Sequence, residues 1–430
     1  MVKNTGRRKF ITSASLAAAG FFIVPRHVIG RGYLAPSDKI NLGFIGTGKQ
    51  GRGLLWAMYK KANIVAAAEV DNNKLNLFGS LVEKYYSEIN GQDKAGSFKG
   101  FTGYEDYRDM LQRKDIDGVV IATPDHWHAI QSIHASNARK HVYCEKPLAH
   151  SVEEGRAMVK AARKNKIVFQ TGSMQRSWKH FRHACELVRN GYLGAIKEVI
   201  VNVGDSPWPC DLPAQPLRKG LNWESWIGPA PFHEFNAILS PPVEEDIFPR
   251  WRNYTEYGGG VIADWGAHMF DIAQWALGMD DSGPVKLIPP PGKSPKGLQM
   301  HYANGVVIKH EDFGRGQGVR FIGELGRLDV TRSILDSDPV NISTAIIKDG
   351  EVRLYESNDH YDNWLNCIKT GDLPICDVEI GHRTSTVCAI ANIAYATRRI
   401  LSWNPDKEFF PDDAEANSML KPLFREGWKL

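Results

Sequence analysis

Residues 41–51 read NLGFIGTGKQG, an apolar run followed by three glycines spaced as GxGxxG. The apolar run predicts a short buried strand, and the residues after the glycines predict a helix. In such a unit Gly46 permits a tight turn, Gly48 lets a pyrophosphate approach the backbone, and Gly51 lets the helix pack close to the strand. The alternative is a glycine turn that binds no ligand. We expect this turn to contact phosphate through Gly46, Gly48, Lys49, Gln50 and Gly51.

Strands and helices alternate from residue 38 to residue 173. Predicted strands cover 40–45, 64–70, 118–122, 141–143 and 167–170, and predicted helices cover 49–59, 104–112, 127–138 and 152–164. Short apolar strands that alternate with helices indicate a parallel sheet covered on both faces. We therefore predict an α/β domain over 38–173.

The pattern changes after residue 174. Predicted strands cover 196–203, 285–288, 298–302, 306–310 and 319–322. Strands without helices between them favour a largely antiparallel sheet. The stretch 207–252 is rich in Pro and Trp and shows little periodicity, which is typical of a functional loop. An amphipathic helix over 384–401 completes a predicted second domain over 174–430.

The composition is that of a soluble globular protein. A chain of 430 residues, 43% hydrophobic and 24% charged, is long enough for two or three domains. Lys and Arg number 53 against 49 Asp and Glu, a formal net charge of only +4, so nothing favours nucleic acid as a partner. None of the six cysteines forms a CxxC pair, which argues against an iron–sulfur cluster or a zinc knuckle.

The first 37 residues are similar to an export signal. Arg7 and Arg8 precede an apolar run that ends near Val24, as in a twin-arginine signal, and the run is too short to span a membrane. The alternative is a disordered basic start before a short buried helix. There is no clean A-x-A cleavage site, so a cleaved signal and a retained tether that contacts the membrane both stay open. The pattern predicts a periplasmic or otherwise exported protein.

Two acidic residues, Glu69 and Asp71, stand at the end of the second predicted strand. An acid at this place hydrogen-bonds the ribose hydroxyls of a bound dinucleotide. Either carboxylate would repel a 2′-phosphate, which favours NAD over NADP. Lys49 in the glycine turn weakens that preference.

The sequence TPDHWH at 123–128 follows the apolar strand GVVIA, at the sheet edge where ligands bind. Pro124 and Trp127 are suited to wall a nicotinamide ring. His126 and His128 could instead ligate a metal, or could do no more than cap the next helix. We favour the first interpretation, with cofactor contacts from Thr123, Pro124, Trp127 and His128.

Two further motifs carry ionisable groups. Glu145 and Lys146 in CEKP follow the next strand, at the edge of the same predicted cofactor pocket. A lysine there is suited to proton transfer with a sugar hydroxyl, unless it is simply a surface lysine. In DWGAHMFDIAQW, Asp264 and His268 are four residues apart on one predicted helical face. This pair could act on a substrate, ligate a metal, or be a structural pair under a core helix.

The motifs GFIGTGKQG, EVD, TPDHWH, CEKP and GGGVIADWGAHMFDIAQW, in this order, resemble those of the glucose–fructose oxidoreductase/inositol dehydrogenase family, Gfo/Idh/MocA, over about residues 38–425. The resemblance implies an N-terminal Rossmann dinucleotide-binding domain and a C-terminal α/β domain with an open, mostly antiparallel sheet. That sheet commonly forms homodimer or homotetramer contacts. The resemblance also implies that His268 is the main acid/base, that Lys146 holds and polarises the reacting hydroxyl, and that Asp264 completes the site. It assigns no metal.

Substrate contacts are expected where the two domains meet. Gln175 and Arg176 in TGSMQRS lie at the predicted junction. Arg250, Trp251 and Arg252 lie shortly before the glycines 258–260. The alternative is ordinary packing of a long loop. The tryptophans of this loop suit stacking on pyranose faces and covering an irregular loop equally well: Trp208, Trp223, Trp226 and Trp251.

The resemblance implies an NAD-dependent oxidoreductase that acts on a CH–OH group of a small carbohydrate, either a sugar, a polyol or a glycoside. It aligns Glu69 best with the ribose-binding acid. The twin-arginine route exports folded proteins, so an exported enzyme would load NAD beforehand and regenerate it in place, which favours a tightly bound, recycled cofactor. One alternative is a redox-neutral glycoside hydrolase that oxidises C3, eliminates the C1 substituent and reduces the sugar again. The other is a non-catalytic sugar- or NAD-binding protein, which would predict loss of Lys146 or His268.

Overall fold

The glycine-rich stretch follows a buried strand, β1 (Asn41–Ile45), as predicted. The computed structural model describes residues 39–90 and 100–430, so the predicted export signal over 1–37 lies outside the described residues. Every residue of β1 after the first is buried because helices cover both faces of the strand. The Phe44 ring lies 5.2 Å from that of Phe78 on one side, and Ile45 packs in a cluster with Ile130 on the other.

Six strands, all parallel, form the first sheet. They are β1, β2 (Asn63–Ala68), β3 (Thr102–Tyr104), β4 (Gly118–Ile121), β5 (His141–Cys144) and β6 (Phe169–Thr171), in the spatial order β3-β2-β1-β4-β5-β6. Its helices are α1 (Lys49–Met58), α2 (Asn72–Asn90), α3 (Tyr107–Leu111), α4 (Asp125–Asn137) and α5 (Val152–Asn165). The order reverses between β1 and β4, and ligands bind at such a switch point beyond the carboxyl ends of the strands.

Eight strands form the second sheet. They are β7 (Ile196–Asn202), β8 (Lys286–Ile288), β9 (Gln299–His301), β10 (Val307–His310), β11 (Gly318–Gly323), β12 (Arg327–Thr331), β13 (Leu335–Asp338) and β14 (Leu401–Ser402). Their spatial order is β13-β12-β11-β7-β10-β9-β8-β14, and only β7 and β10 pair in parallel. The predicted fold class, a Rossmann-type sheet domain followed by an α/β domain with an open, mostly antiparallel sheet, is therefore confirmed.

Among the described residues six further helices follow along the chain, and several of them contact strands of the second sheet. They are α6 (Lys179–Arg189), α7 (Trp223–Ile227), α8 (Gly260–Leu277), α9 (His360–Thr370), α10 (Val378–Thr397) and α11 (Ala414–Ser418). Phe181 of α6, Met269 of α8 and Ile390 of α10 share one apolar core with strand residues such as Val199 and Phe321. Tight 3-10 turns occur at Met174–Ser177, Val243–Glu245 and Arg250–Asn253.

The predicted amphipathic helix over 384–401 is wrong in its bounds and its character. The helix that forms there, α10, begins at Val378 and ends at Thr397, and Leu401 belongs to β14. The Asp377 carboxylate caps its start by accepting a hydrogen bond from the Glu379 backbone N–H. Buried residues occur around the whole helix because it packs against α5 on one side and α8 on the other.

The stretch 207–252 has little regular structure, as predicted, but it packs around a core of its own. Trp223, Trp226 and Tyr257 are buried in that core. Its backbone is tied to the end of β2, since Asn222 donates to the Val70 carbonyl at 2.9 Å. We call residues 207–252 the covering segment, because it lies over the carboxyl ends of the first sheet.

No helix in the described residues is long and apolar enough to cross a membrane. The six cysteines, all of them in the described part of the chain, are unpaired.

Candidate active site

A cavity of about 970 Å³ opens at the carboxyl ends of the first sheet, between that sheet, the covering segment and α8. Its wall includes many residues that the sequence predicts for a cofactor and a substrate. They are Gly46, Gly48, Lys49, Gln50, Glu69, Thr123, Pro124, Trp127, Glu145, Lys146, Trp251, Asp264 and His268.

The three glycines of the turn have different surroundings. Gly46 has a φ of +89°, and a Cβ there would lie 2.9 Å from the backbone of Ala122. A Cβ on Gly51 would overlap the Gly46 carbonyl oxygen, so this glycine lets α1 pack against the turn and does not line the cavity. A Cβ on Gly48 would meet no atom within 4 Å. Protein packing therefore does not require Gly48, whereas close approach of a ligand would.

The start of α1 fits a phosphate group. Gly48 caps this helix without a side chain, so no side-chain acceptor takes up the first N–H groups, and no acidic residue lies in the first turn. A helix end of this kind attracts anions through its free N–H groups and its dipole. Gln50 in the same turn donates to the buried Glu145 carboxylate at 2.9 Å, which joins α1 to the loop after β5.

The two candidate ribose acids lie in different places. Glu69 lines the cavity, and its carboxylate accepts hydrogen bonds from the Thr47 N–H at 2.8 Å and the Asp71 N–H at 3.1 Å. The Thr47 hydroxyl also donates to this carboxylate, at 3.2 Å, and an acceptor site is left on Oε1 for a ribose hydroxyl after these three bonds. Asp71, in contrast, is 1% exposed, lies outside the cavity wall and pairs with Arg218 at 2.8 Å and Lys74 at 3.6 Å. Of the two predicted ribose acids, the structure therefore places Glu69 in the cavity wall and Asp71 in the packing beneath the covering segment, where these cations hold it.

Two parts of the chain cover the cavity. In the covering segment, Asp246 pairs with Arg52 of α1 at 2.6 Å and with Lys49, whose ammonium group also lies 5.3 Å from the Phe248 ring centroid. At the C-terminus, the Trp428 ring meets that of Trp127 edge-on, with 5.4 Å between centroids. The predicted cofactor residues Lys49 and Trp127 thus line the cavity and also contact the residues that cover it, Lys49 in the covering segment and Trp127 at Trp428.

Lys146, Asp264 and His268 meet at one end of the cavity. The Lys146 ammonium group donates to the Asp264 carboxylate at 2.6 Å and to the Asp264 carbonyl at 3.0 Å. Asp264 and His268 both project from α8, one turn apart, as their spacing predicts. The Nδ1 atom of His268 is buried without a hydrogen-bond partner among the described residues. The structure thus brings together the three residues to which the sequence assigns chemistry.

The protonation states of Asp264 and His268 follow from their burial and from neighbouring cations. Burial acts to raise the pKa of Asp264, but the charges on Lys146 and Arg252 outweigh it and hold that pKa at about 2. Burial, with a further contribution from Lys146, lowers the pKa of His268 well below its usual value. At neutral pH Asp264 is therefore a carboxylate and His268 a neutral imidazole able to accept a proton.

Four further charged or aromatic residues line the cavity, and of these only Arg252 is named in the sequence analysis. Asp125 lines the cavity, and burial raises its pKa to about 8. Arg252 lies 3.5 Å from the Asp264 carboxylate, and Trp265 and Arg332 line the same wall. Three of them have a local signal, since Asp125 lies within TPDHWH, Arg252 within the RWR triplet, and Trp265 beside Asp264. Arg332 follows β12 and lies in no local motif that indicates a functional site.

His128, a predicted cofactor contact, does not line the cavity. It is 1% exposed, and its ring nitrogens lie 2.9 Å from the Pro147 carbonyl oxygen and 3.0 Å from that of Thr123. These contacts fasten the start of α4 to the loop after β5. His126 is buried as well, between the rings of Trp226 and Tyr257. Within 39–90 and 100–430, no three His, Cys, Asp or Glu side chains are grouped as a metal site would require.

Three predicted substrate residues lie outside the cavity wall. Arg176 is 1% exposed and pairs with Asp271 and Asp280 at 2.7 Å each, so it is a core residue. Gln175 is also buried, although its side-chain oxygen accepts a hydrogen bond from Arg332 at 3.3 Å. Arg250 is exposed at the start of its 3-10 turn and is not part of the cavity wall. The structure thus does not place these three predicted substrate residues in the cavity wall.

The tryptophans of the covering segment divide between the two predicted roles. Trp223 and Trp226 stack with 4.5 Å between ring centroids and fill the segment's core. Trp226 and Trp251 also form part of the cavity wall. Trp208 is 46% exposed and packs on Tyr254, outside the cavity.

Two family models match the chain. The model described as "Oxidoreductase family, NAD-binding Rossmann fold" matches residues 40–173, and "Oxidoreductase family, C-terminal alpha/beta domain" matches residues 200–430. Among solved structures, the WlbA dehydrogenase of Bordetella pertussis, in complex with NADH and UDP-GlcNAcA, superposes with a TM-score of 0.59 at 19% identity, over 86% of this chain and 100% of that one. An aldose-aldose oxidoreductase of Caulobacter crescentus complexed with glycerol gives 0.58 at 19% identity, over 85% and 99%. These likenesses concern the fold.

Several named proteins are similar in sequence, and the matches span part of their length. Levoglucosan dehydrogenase of Pseudarthrobacter phenanthrenivorans is 33% identical over 245 residues, 56% of this chain and 52% of that protein. The 1,5-anhydro-D-fructose reductase of Ensifer adhaerens is 26% identical over 270 residues, 60% of this chain and 69% of that protein. A glycosyl hydrolase family 109 protein of a Shewanella species is 35% identical over 119 residues, 27% of this chain and 25% of that protein. Because the two family models together match most of the chain, it belongs to the Gfo/Idh/MocA family of oxidoreductases.

Proposed function

We propose that this protein is an NAD-dependent oxidoreductase that acts on a CH–OH group of a sugar, polyol or glycoside and keeps its cofactor tightly bound. The observation that carries the proposal is the 2.6 Å contact between Lys146 and Asp264 beside His268, in the same cavity as the glycine turn. The geometry fits a dinucleotide, with the free helix start and Gly48 at the phosphates and Glu69 at the ribose hydroxyls. Glu69 favours NAD over NADP.

When bound, the nicotinamide supplies the hydride acceptor for the carbinol carbon. His268, neutral at physiological pH, takes the proton of the reacting hydroxyl. Lys146 donates a hydrogen bond to that hydroxyl oxygen and stabilises the charge that develops on it, while Asp264 holds the ammonium group in place. The covering segment and Trp428 form part of the cavity wall and would shield a bound substrate from water. Reduction of a ketone would use the same groups with the proton moving from His268 to the oxygen.

A redox-neutral glycoside hydrolase built on the same residues is the second candidate. The similarity to family 109 glycosyl hydrolases over 119 residues favours it, as does the pairing of a twin-arginine pattern with a dinucleotide site. In that case the cofactor would be loaded before export and recycled in place. We further propose that the chain acts in the periplasm, and that it assembles as a homodimer or homotetramer through the open face of the second sheet.

Purified protein without added cofactor provides the test, by native mass spectrometry and by absorbance between 250 and 400 nm. We expect bound NAD(H) that survives dialysis, and oxidation or cleavage of a carbohydrate by this holoprotein. Release of the aglycone from a glycoside without external NAD⁺ would select the hydrolase. An empty protein that reduces added NAD⁺ with a free sugar would make it an ordinary dehydrogenase with exchanging cofactor. A protein that neither binds nor reduces NAD⁺ would refute the proposal.

Trp428 is expected to help retain the cofactor. In Trp428→Ala the cavity loses part of its cover and the edge-on contact with Trp127, which is worth about 0.5–1.5 kcal/mol. We expect the Kd for NADH to rise about two- to tenfold, measured by nicotinamide fluorescence. Trp56→Ala is the matched control, because Trp56 is 67% exposed on α1 and lies outside the cavity wall. Equal Kd values for the two variants would contradict a role for the C-terminal segment.

A further inference from the structure

Arg332 is a cation of the cavity wall whose guanidinium is held in place by neutral groups. Its Cζ atom lies 4.4 Å from the ring centroid of Trp265, and its Nε donates to the Gln175 side-chain oxygen at 3.3 Å. Stacking fixes the plane of the guanidinium, and the Nε bond fixes its rotation. No carboxylate of the described residues lies within 4.0 Å of it. The two terminal nitrogens are therefore oriented without a counter-ion.

The rest of this end of the cavity also has an excess of positive charge. Lys146 and Arg252 share one carboxylate, Asp264, at 2.6 Å and 3.5 Å. The two other acids nearby, Asp125 and Glu145, are buried, and burial raises the pKa of each. At neutral pH Asp125 is largely uncharged. An oxidised nicotinamide would add a further positive charge to this region.

The position of Arg332 relates it to the reacting group. The Arg332 guanidinium packs on the Trp265 ring, and the centroid of that ring lies 6.0 Å from the centroid of the His268 imidazole. A sugar whose hydroxyl reaches His268 thus has Arg332 beside another part of its ring. An unpaired guanidinium fork at such a place is suited to a carboxylate, whose two oxygens match its two terminal nitrogens. A phosphate dianion carries more charge and would need a second cation, but the nearby cations Lys146 and Arg252 already pair with Asp264.

We infer that the substrate is a sugar acid or its glycoside, and that Arg332 binds its carboxylate. This inference rests on the proposed function, since it names the substrate class of the same site. Arg332 determines specificity and does not take part in proton transfer. Gln175, predicted from the sequence as a substrate contact, acts through Arg332 by fixing its Nε.

Matched pairs of neutral and acidic carbohydrates test the inference on the NAD-loaded protein. The acids are the methyl glycosides of D-glucuronic and D-galacturonic acid, and the neutral partners are methyl D-glucoside and D-galactoside, each as both anomers, with glucose 6-phosphate as a phosphate arm. Reduction of bound or added NAD⁺ is followed at 340 nm, and binding by the shift in melting temperature. We expect kcat/KM for an acid to exceed that of its neutral partner at least about tenfold.

Variants of Arg332 separate charge recognition from general damage. Arg332→Gln should lower kcat/KM for the acid roughly ten- to a hundredfold, mainly through KM, and leave the neutral partner within about twofold. Arg332→Lys should recover only part of the loss, because it keeps the charge without the fork. Arg139→Gln is the matched control, since Arg139 is exposed at the end of α4 and lies outside the cavity wall.

Each result decides between the inference and the proposed function. Equal or better use of the neutral sugar, equal losses on both sugars in Arg332→Gln, or a preference for glucose 6-phosphate would overturn the inference while the oxidoreductase stands. So would a holoprotein that binds NAD but shows neither reduction nor a melting shift with any acid. A protein that binds no NAD would refute the proposed function, and the acid-dependent melting shift would then decide the inference alone.

Discussion

His268→Gln is expected to lower kcat about 10²- to 10⁴-fold, the range that a general acid/base contributes. His268 is 3% exposed, lines the cavity and has a buried Nδ1 without a partner among the described residues. Burial, then the charges of Lys146 and Arg332, lower the pKa of this imidazole, so it is neutral and ready to accept a proton above pH 6.5. Glutamine retains a hydrogen-bonding group of similar size but cannot take a proton at neutral pH.

The pH dependence distinguishes a base from a structural residue. Because the pKa of His268 in the folded protein lies below 6.5, kcat/KM of the wild type should stay level as pH falls to 6.5 and decline only below it. In His268→Gln this acid limb should disappear. His233→Gln, a change in the covering segment outside the cavity wall, should leave both kcat and the profile unchanged. If His268→Gln retained more than a tenth of wild-type kcat with the same acid limb, the base would have to be another group.

Much of the first sheet can be predicted because its strands are short apolar runs between turns. The helix α2 was missed although its signal is present, since Phe78, Val82 and Tyr86 are buried and spaced four residues apart. The strands β12 and β13 have no such signal. Asp329 is fully buried there and pairs with Arg320 of the adjacent strand and with Arg327, so charge pairing replaces apolar alternation. Only the assembled sheet shows that these polar residues belong to strands.

The residues of the candidate site also divide into those that the sequence could predict and those that it could not. Lys146 could be predicted because it follows a strand that ends at this edge of the first sheet. Asp264 and His268 could be assigned to the site only through the family resemblance of their motif, since their spacing alone left other interpretations open. Arg332 could not, because its position depends on the second sheet and its stacking partner Trp265 is distant in sequence. The buried position of Arg176 could not be predicted for another reason. A charged residue at a domain junction suggests a ligand contact, whereas its partners lie some hundred residues further along the chain.

Arg176→Met is expected to destabilise the protein by about 3–5 kcal/mol, the cost of removing one partner from a buried ion pair. The Arg176 guanidinium donates to both carboxylate oxygens of Asp271, at 2.8 Å and 2.7 Å, and lies 5.0 Å from the Trp275 ring centroid. Methionine keeps the apolar packing but leaves the Asp271 carboxylate, 1% exposed, without its cation. Chemical denaturation measures the loss. Arg399→Met, which breaks a pair with Asp413 at a side chain that is 44% exposed, should cost less than about 1 kcal/mol.

The pH dependence of this loss identifies its cause. Burial raises the pKa of Asp271 even with Arg176 in place, and removal of the guanidinium must raise it further. A carboxyl group whose pKa is higher in the folded than in the unfolded protein destabilises the fold above its folded pKa, and that penalty is relieved as pH falls through it. The stability difference between wild type and Arg176→Met should therefore be smaller at pH 5 than at pH 7. A substrate contact would behave differently, because the variant would then keep its stability and show only a raised KM. Unchanged stability at both pH values would return Arg176 to the substrate site.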